Sequence, residues 1–318
     1  MLRTAESVSP MHPDKICDRV SDAILDICLS QDPHSRVAVE TMGGHGVITI
    51  TGEITSGAVF DAEKIAKRIA GDQYQVSVNL VQQSPDIARG VDPGGAGDQG
   101  IMVGYACSET PELMPLEVKL SRDLCRVLFS KYKTDGKTQI TLENNLISTV
   151  VASFQHARAE EMKGLVEEWL KDKNVSENLK IYVNPAGDWS QGGFEADAGV
   201  TGRKLIVDNY GPRIPIGGGA FSGKDPSKVD RSAAYMARKI AVDYLQKNNA
   251  KEVICHLAYS IGVAEPVMAT VEIDGRKENV QGYDLTPKGI ITLLELKKPQ
   301  FEQTAEFGHF GNNFCWDK

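Results

Sequence analysis

The sequence contains no C-x-x-C pair. Its six cysteines (Cys17, Cys28, Cys107, Cys125, Cys255 and Cys315) are scattered over 318 residues, which excludes the common zinc and dithiol motifs. Thiols so dispersed suit a reducing compartment, so a cytoplasmic protein is expected. No apolar run is long enough to cross a membrane, and no apolar signal core opens the chain, so a membrane partner is not expected. Positive charge is also in short supply. The 35 Lys and Arg face 43 Asp and Glu, a net charge of −8, which argues against a nucleic-acid-binding face and leaves room for a local basic pocket. Where cations do gather in such a chain, the gathering is informative.

The composition itself is ordinary. Hydrophobic residues make up 41% and charged residues 25%, as in soluble globular proteins, and the length suits two or three domains. Apolar spacing predicts a helix over Pro13–Gln31, strands over Arg36–Thr41 and Val47–Ile54 around a Gly43–Gly46 turn, a helix over Asp61–Ala70 and a strand over Gln75–Val81. Residues 84–100, rich in Gly, Pro and Asp, are expected to form a mobile loop. The cycle repeats with a helix after Pro115, strands over Thr138–Leu142 and Ile147–Phe154, a helix over Arg158–Lys171 and a strand over Leu179–Val183. A third round has a strand at Lys204–Val207, a glycine block, a helix over Ser227–Leu245, strands over Glu252–Ser260 and Val267–Ile273, and a short helix after Pro287. Three rounds of this kind predict three similar α+β units.

Residues 217–231 carry the strongest chemical signal. A glycine run, read as flexible, is followed by Lys224, Lys228 and Asp230 at the start of a helix, with Asp225 as its expected cap and Pro226 in its first turn. Amides and ammonium groups there favour a polyphosphate, and the acid can hold the metal that accompanies one. Gly218 to Lys224 is almost a P-loop, but Asp225 stands where Ser or Thr must ligate magnesium, and prolines spoil the strand that should precede it. Gly95 to Gly100 matches G-x-G-x-x-G, yet it follows a Pro-Gly loop and precedes a β-like stretch, so it reads as a tight turn presenting Asp98 and Gln99. His12-Pro13-Asp14-Lys15 is a second charged block at a helix start; on these four residues alone, His12 or Asp14 as a simple helix cap is the preferred reading. Asp135-Gly136-Lys137 reads as a hairpin turn. Glu40 and Glu53 are strand acids, and Trp189 is either a core anchor or a stacking platform.

Taken together these stretches resemble the S-adenosylmethionine synthetases, or methionine adenosyltransferases. The matching segments are Glu6-Ser7-Val8 through Lys15, Gly52-Glu53-Ile54-Thr55, Gln83-Ser84-Pro85-Asp86-Ile87, Gly95 to Gly100, Thr201-Gly202-Arg203-Lys204, Gly217 through Tyr235, Gly262 to Pro266 and Gly308-His309-Phe310-Gly311. They run in order over nearly the whole chain. The resemblance implies an α+β fold of three similar domains around a pseudo-threefold axis, taken here as 1–94, 95–190 and 191–318. It also implies a homodimer with shared active sites and leaves open a further assembly into a tetramer. The implied reaction joins ATP and L-methionine: sulfur attacks C5′, tripolyphosphate leaves, and it is then cut to pyrophosphate and phosphate.

By that resemblance His12 meets the leaving triphosphate near the breaking bond, and Asp14 and Asp230 belong to the Mg²⁺ and phosphate site. Lys137, Arg203, Lys204, Lys224 and Lys228 hold phosphate oxygens, with His12, Lys137, Arg203 and Lys224 as the catalytic set. Asp135 and Ala220 line the ATP site, Trp189 stacks on adenine, and Asp197 serves both substrates. Glu53, Gln83 and Asp98 hold the amino-acid end of methionine beside Lys228, and Glu40 binds K⁺. The chain departs from the family pattern at Met11 (usually glycine), at Asp188 (usually arginine), in a shortened Gln83–Gly95 segment, and in losses near 71–81, before Asp135 and between Ile273 and Asp284. Two other readings use the same cations: a tripolyphosphatase or phosphotransferase, and a non-catalytic nucleotide-binding regulatory subunit.

Overall fold

A computed structural model describes residues 1–83 and 94–318. Residues 84–93, which carry most of the expected loop and Ser84 to Ile87 of one motif, lie outside the described residues. In chain order the strands are β1 (Leu2–Val8), β2 (Arg36–Gly44), β3 (Val47–Thr55), β4 (Gln75–Val81), β5 (Gly100–Cys107), β6 (Gly136–Glu143), β7 (Leu146–Phe154), β8 (Val175–Val183), β9 (Gly199–Val200), β10 (Glu252–Tyr259), β11 (Met268–Ile273) and β12 (Arg276–Asn279). The helices are α1 (Pro13–Gln31), α2 (Ala62–Ala70), α3 (Leu116–Tyr132), α4 (Ala159–Leu170), α5 (Leu205–Asp208), α6 (Val229–Asn248), α7 (Pro287–Leu293) and α8 (Phe301–Phe307).

The strands form three four-stranded sheets, in the orders β1-β6-β7-β8, β9-β2-β3-β4 and β5-β10-β11-β12. The first two share one plan: an antiparallel edge strand, an antiparallel hairpin, then a parallel strand reached through a helix. The third follows it through β11 and then departs, because β11 turns straight back into β12 as an antiparallel hairpin. That hairpin, centred on Asp274-Gly275 with both residues at positive φ, falls in the segment where the resemblance implies a loss. A two-residue turn can only return the chain antiparallel, whereas a parallel strand needs a crossover. The sheets also interlock: the first recruits β1 from the N-terminus and the second recruits β9 from beyond residue 190.

Helix α1 shows how sequence and packing combine. Pro13 opens it, and the His12 ring accepts the Asp14 amide as its cap. Its apolar stripe (Ile16, Val20, Ile24) is buried in the core, and Ser21 bonds the helix to Thr41 of β2. The opposite face, which its charges mark as solvated, is covered as well: Asp14, Lys15, Asp18 and Asp22 are no more than 1% exposed. Buried charges survive only when paired, and each of these is. Arg231 of α6 grips Asp22 with both terminal nitrogens, at 2.6 and 2.9 Å.

Two local expectations fail. Lys204–Val207 is not a strand: Lys204 precedes the single helical turn of α5. Four apolar-rich residues carry too little periodicity to separate the two forms, and only the turn brings the Asp208 carboxylate to the buried Lys15. Asp135-Gly136 is not a hairpin turn either, since α3 precedes it; Gly136 starts β6, where a Cβ would strike the Phe154 ring.

Candidate active site

The expected site residues fall into two groups along one edge of β2. Near one end Val200 of β9 pairs with Met42, and the Thr201 amide donates to the Thr41 carbonyl. Four residues away, roughly 13 Å at strand rise, Lys224 bridges Ala38 and the Val39 amide donates to the Gly223 carbonyl.

The first group surrounds the N-terminus of α1. Asp14, wholly buried, accepts from the Val200 amide at 2.9 Å, pairs with Arg203 Nε at 2.9 Å and accepts from Lys204 Nζ at 2.6 Å. Burial alone would raise its pKa; the Lys204 hydrogen bond and the Val200 amide outweigh that and hold it below the usual carboxylate range. His12 is 5% exposed. Burial, then Lys204 and Lys137, depress its pKa to about 3 against the opposing pull of Asp14, so the ring is neutral at pH 7. Its Nδ1 accepts the Asp14 amide at 3.1 Å, which leaves the proton on Nε2, a free donor. Lys137, in β6 opposite Val8, completes the cationic wall. Asp135 accepts the Gly193 amide at 3.0 Å, and burial raises its pKa with Asp197 adding to the effect. Trp189, half-buried, donates its indole N–H to Ser153 Oγ at 3.1 Å. That bond fixes the ring while part of it stays open, so the residue is neither a buried anchor nor a loose surface ring. Asp197 is exposed and accepts the Ala198 amide.

The second group lies around the glycine block. Lys224 ion-pairs with Asp230 in the first turn of α6. Lys228 pairs with Asp225 at 2.5 Å. Asp225 is not the cap of α6: the helix starts at Val229 with Lys228 in the cap position. The carboxylate instead accepts from the Ser227 and Val37 amides at 2.8 and 2.7 Å, tying the block to β2 before the helix begins. The glycines serve close approach rather than looseness. A Cβ at Gly217 would strike the Ile101 carbonyl, one at Gly219 the Asp230 carboxylate, and one at Gly223 the Val39 carbonyl. Ala220 packs against Gly202, beside Arg203, and is the described contact between the groups.

Residues paired across a ladder point the same way. Lys224 and Glu53 flank Ala38, and Glu40 lies two residues further along β2. All face away from the buried side made by Val37, Val39 and Thr41. Glu40 is exposed and Glu53 half-buried. The Gln83 amide, just past β4, donates to Oγ1 of Thr55 at the end of β3, at 3.3 Å. Asp98 is exposed and caps its own turn by accepting the Gln99 amide at 2.8 Å. Gly100 then enters β5 rather than a helix, so the G-x-G-x-x-G stretch is a turn, locked by reciprocal backbone bonds between Ala96 and the Gly262–Val263 loop.

Three charged residues beside the first group were not singled out from the sequence. Lys15, fully buried, donates to Asp208 at 2.5 Å and Asp18 at 3.1 Å, and Asp18 accepts the Gly202 amide at 2.8 Å. Burial pushes Asp18 up to about 6 against the pull of Lys15. Lys15 sits in the first charged block and Asp18 one turn on, so helical spacing alone could have joined those two; nothing in the sequence pointed to Asp208.

The arrangement collects cations around isolated acids beside backbone amides. It can grip several phosphate oxygens and hold a neutral imidazole N–H donor among them. Among the described residues no three metal-ligating side chains cluster, and all six cysteines are free thiols. No helix there is long and apolar enough to cross a membrane.

Comparison with known proteins agrees with this chemistry. Residues 1–85 match the S-adenosylmethionine synthetase N-terminal domain, 93–189 its central domain and 191–318 its C-terminal domain. The chain is 41% identical to the S-adenosylmethionine synthase of Helicobacter hepaticus (strain ATCC 51449 / 3B1), covering 100% of this chain and 95% of the relative. It is 42% identical to that of Brachyspira hyodysenteriae (strain ATCC 49526 / WA1), covering 99% and 95%. These alignments span 367 and 374 positions against 318 residues here, so the relatives carry segments that this chain lacks. The chain belongs to the S-adenosylmethionine synthetase family.

Proposed function

We propose that the protein is a methionine adenosyltransferase. The sulfur of L-methionine attacks C5′ of ATP, the C5′–oxygen bond breaks, and the electron pair leaves with tripolyphosphate, which is hydrolysed to pyrophosphate and phosphate. The observation that carries this reading is a neutral, Nε2-protonated His12 set among Lys137, Arg203 and Lys204. A thioether needs no base to be a nucleophile, so the barrier lies in alignment and in the charge that grows on the departing oxygens. His12 Nε2–H donates to the oxygen leaving C5′, while Lys137, Arg203, Lys204 and Lys224 take the rest of the charge. Asp135 and Asp197 orient the nucleoside, with Asp197 also reaching methionine. The Trp189 face supports adenine, and Ala220 gives it room. Glu53, Gln83, Asp98 and Lys228 hold the amino and carboxylate groups of methionine.

Magnesium fits this donor set. Asp14 and Asp230 each offer a carboxylate apart from other acids, and Mg²⁺ commonly takes one or two carboxylates and fills its remaining positions with water and phosphate oxygens. Bound there, Mg²⁺ would neutralise polyphosphate charge. Their lysine and arginine partners are free to turn to the phosphates. Glu40, exposed beside the second group, is the proposed K⁺ ligand.

The two groups sit apart on one chain, and the open face of the second sheet exposes Met42 and Val81 at 55% and 54%. That supports a homodimer in which the first group of one subunit faces the second group of its partner, one that can pair further into a tetramer, and the scattered free thiols suit a cytoplasmic setting. Incubation with ATP, methionine, Mg²⁺ and K⁺ should yield S-adenosylmethionine, pyrophosphate and phosphate. ATP or tripolyphosphate cleavage that proceeds equally without methionine, with no S-adenosylmethionine formed, would replace this reading with a polyphosphatase.

A further inference from the structure

We infer that Lys15, Asp18 and Asp208 form a buried clamp that fixes the segment carrying Arg203 and Lys204 beside Asp14, from where both side chains reach the phosphates, and that they act on catalysis through those two cations without touching substrate. The inference rests on the proposed reaction and deepens it. Residues 199–208 carry the cationic pair, and α1 holds this segment at three successive points. Asp14 takes the Val200 amide at 2.9 Å, Asp18 takes the Gly202 amide at 2.8 Å, and Lys15 takes the Asp208 carboxylate at 2.5 Å. The three clamp residues are at most 3% exposed. Between the second and third points lie only Arg203 and Lys204, followed by the one turn of α5. The turn is closed by the Asp208 amide donating to the Lys204 carbonyl at 2.8 Å. Gly202 has φ +82 and abuts Ala220, so the chain bends sharply just before the two cations and is pinned again just after them.

A buried ion cluster is a poor device for stability alone, since a well-packed apolar replacement is often as stable or more so. It is a good device for direction, because the hydrogen bonds of a charge pair fix both distance and angle. The cluster holds two carboxylates for one ammonium. Lys15 donates to both, so it links the Asp18 end of the cationic segment to the Asp208 end.

The test uses the full chain with Asp208→Asn, which keeps shape and removes charge. The readouts are kcat/KM for ATP, KM for methionine and, independently of turnover, the affinity of the folded protein for inorganic tripolyphosphate. Displacing a positioned group by an ångström costs on the order of 10- to 100-fold. The expected result is a loss of at least about tenfold in kcat/KM for ATP and in tripolyphosphate affinity, with KM for methionine changed less than about twofold. Asp208→Glu should recover part of the loss. In a Lys204→Met background the same Asp208→Asn change should cost less than about threefold, because the group it positions is gone. A variant that melts lower yet keeps ATP kinetics and tripolyphosphate affinity within twofold would overturn the clamp, as would an undiminished loss in the Lys204→Met background. If Asp208→Asn does not fold, Asp18→Asn is measured in the same way, with the same two outcomes deciding. If the wild-type protein makes no S-adenosylmethionine, the proposed reaction fails on its own, and the tripolyphosphate affinities still decide the clamp.

Discussion

At the scale of single residues, His12 is the one whose state the structure defines most sharply. The cap bond to the Asp14 amide fixes its tautomer, and burial with two nearby lysines keeps it uncharged. His12→Asn should slow S-adenosylmethionine formation by about 100-fold, the cost of losing one aligned donor to a developing oxyanion. Hydrolysis of added tripolyphosphate should suffer less, and equal losses in both assays would remove the imidazole from the breaking bond. The titration has a definite sign. The folded pKa of about 3 lies below the ordinary 6.5, so between those values the unfolded chain binds the extra proton. Wild-type stability relative to His12→Asn should therefore fall as pH drops from about 6.5 towards 3. Denaturant unfolding of both proteins at pH 7 and pH 4.5 measures this. Lys137→Met should cost about 3 kcal/mol in transition-state stabilisation, as a lost charge partner typically does, with the melting temperature little changed because the side chain is exposed.

At the scale of elements, the glycine block shows why a loop with charged residues can be rigid. Gly223 adopts φ +81 with its missing Cβ directed at the Val39 carbonyl. Gly223→Ala meets both a backbone penalty of about 1–2 kcal/mol and a clash, so it should lower the melting temperature measurably and displace Lys224 from Ala38. Gly218, with open space where its Cβ would lie, is the control, and Gly218→Ala should be nearly silent in the same melt. Equal effects at the two positions would mean that the loop does not hold this conformation in solution. Helix α1 and helix α6 are joined by Asp22 and Arg231, both fully buried. Asp22→Ala should destabilise by about 3–5 kcal/mol, because it strands a guanidinium without its counter-charge, and chemical denaturation gives that number directly.

At the scale of the whole molecule, the separation of the two groups along β2 leads to a mixing experiment. If sites are shared across a twofold axis, a chain disabled in the first group (His12→Asn) and a chain disabled in the second (Lys224→Met) rebuild one intact site in each heterodimer. Subunits mixed under exchanging conditions should recover about a quarter of wild-type activity, half the molecules being hybrids with half their sites intact. No recovery, with heterodimers verified by mass, would show that each site is built within one chain. At this scale the sequence was partly legible. The repeated rounds of strands and helices announced three similar units, and the first two sheets do share a plan. The β11–β12 hairpin and the exchange of β1 and β9 between thirds of the chain left no such mark, because pairing partners distant in sequence leave no local period. The Leu205–Asp208 turn was misread as a strand for a related reason: its form is set by the buried Lys15 that it must reach.

The sequence by itself determined the chemistry and the long elements. Helix α1 and β4 lie on the bounds that apolar spacing predicts, since a period of 3.6 or 2 is written directly into the chain. The charged blocks at residues 12–15 and 224–230 are what pointed to the proposed polyphosphate grip, because lysines gathered beside lone acids stand out in an acidic chain. Only the tertiary structure decided which charges gather and which pair away from them. His12, Arg203 and Lys204 meet around the buried Asp14, while Lys15 pairs with Asp18 and Asp208, and Asp22 with Arg231, in the interior. Residue type fixes what a side chain can do in water, and burial, which depends on everything packed around it, fixes what it does in the fold.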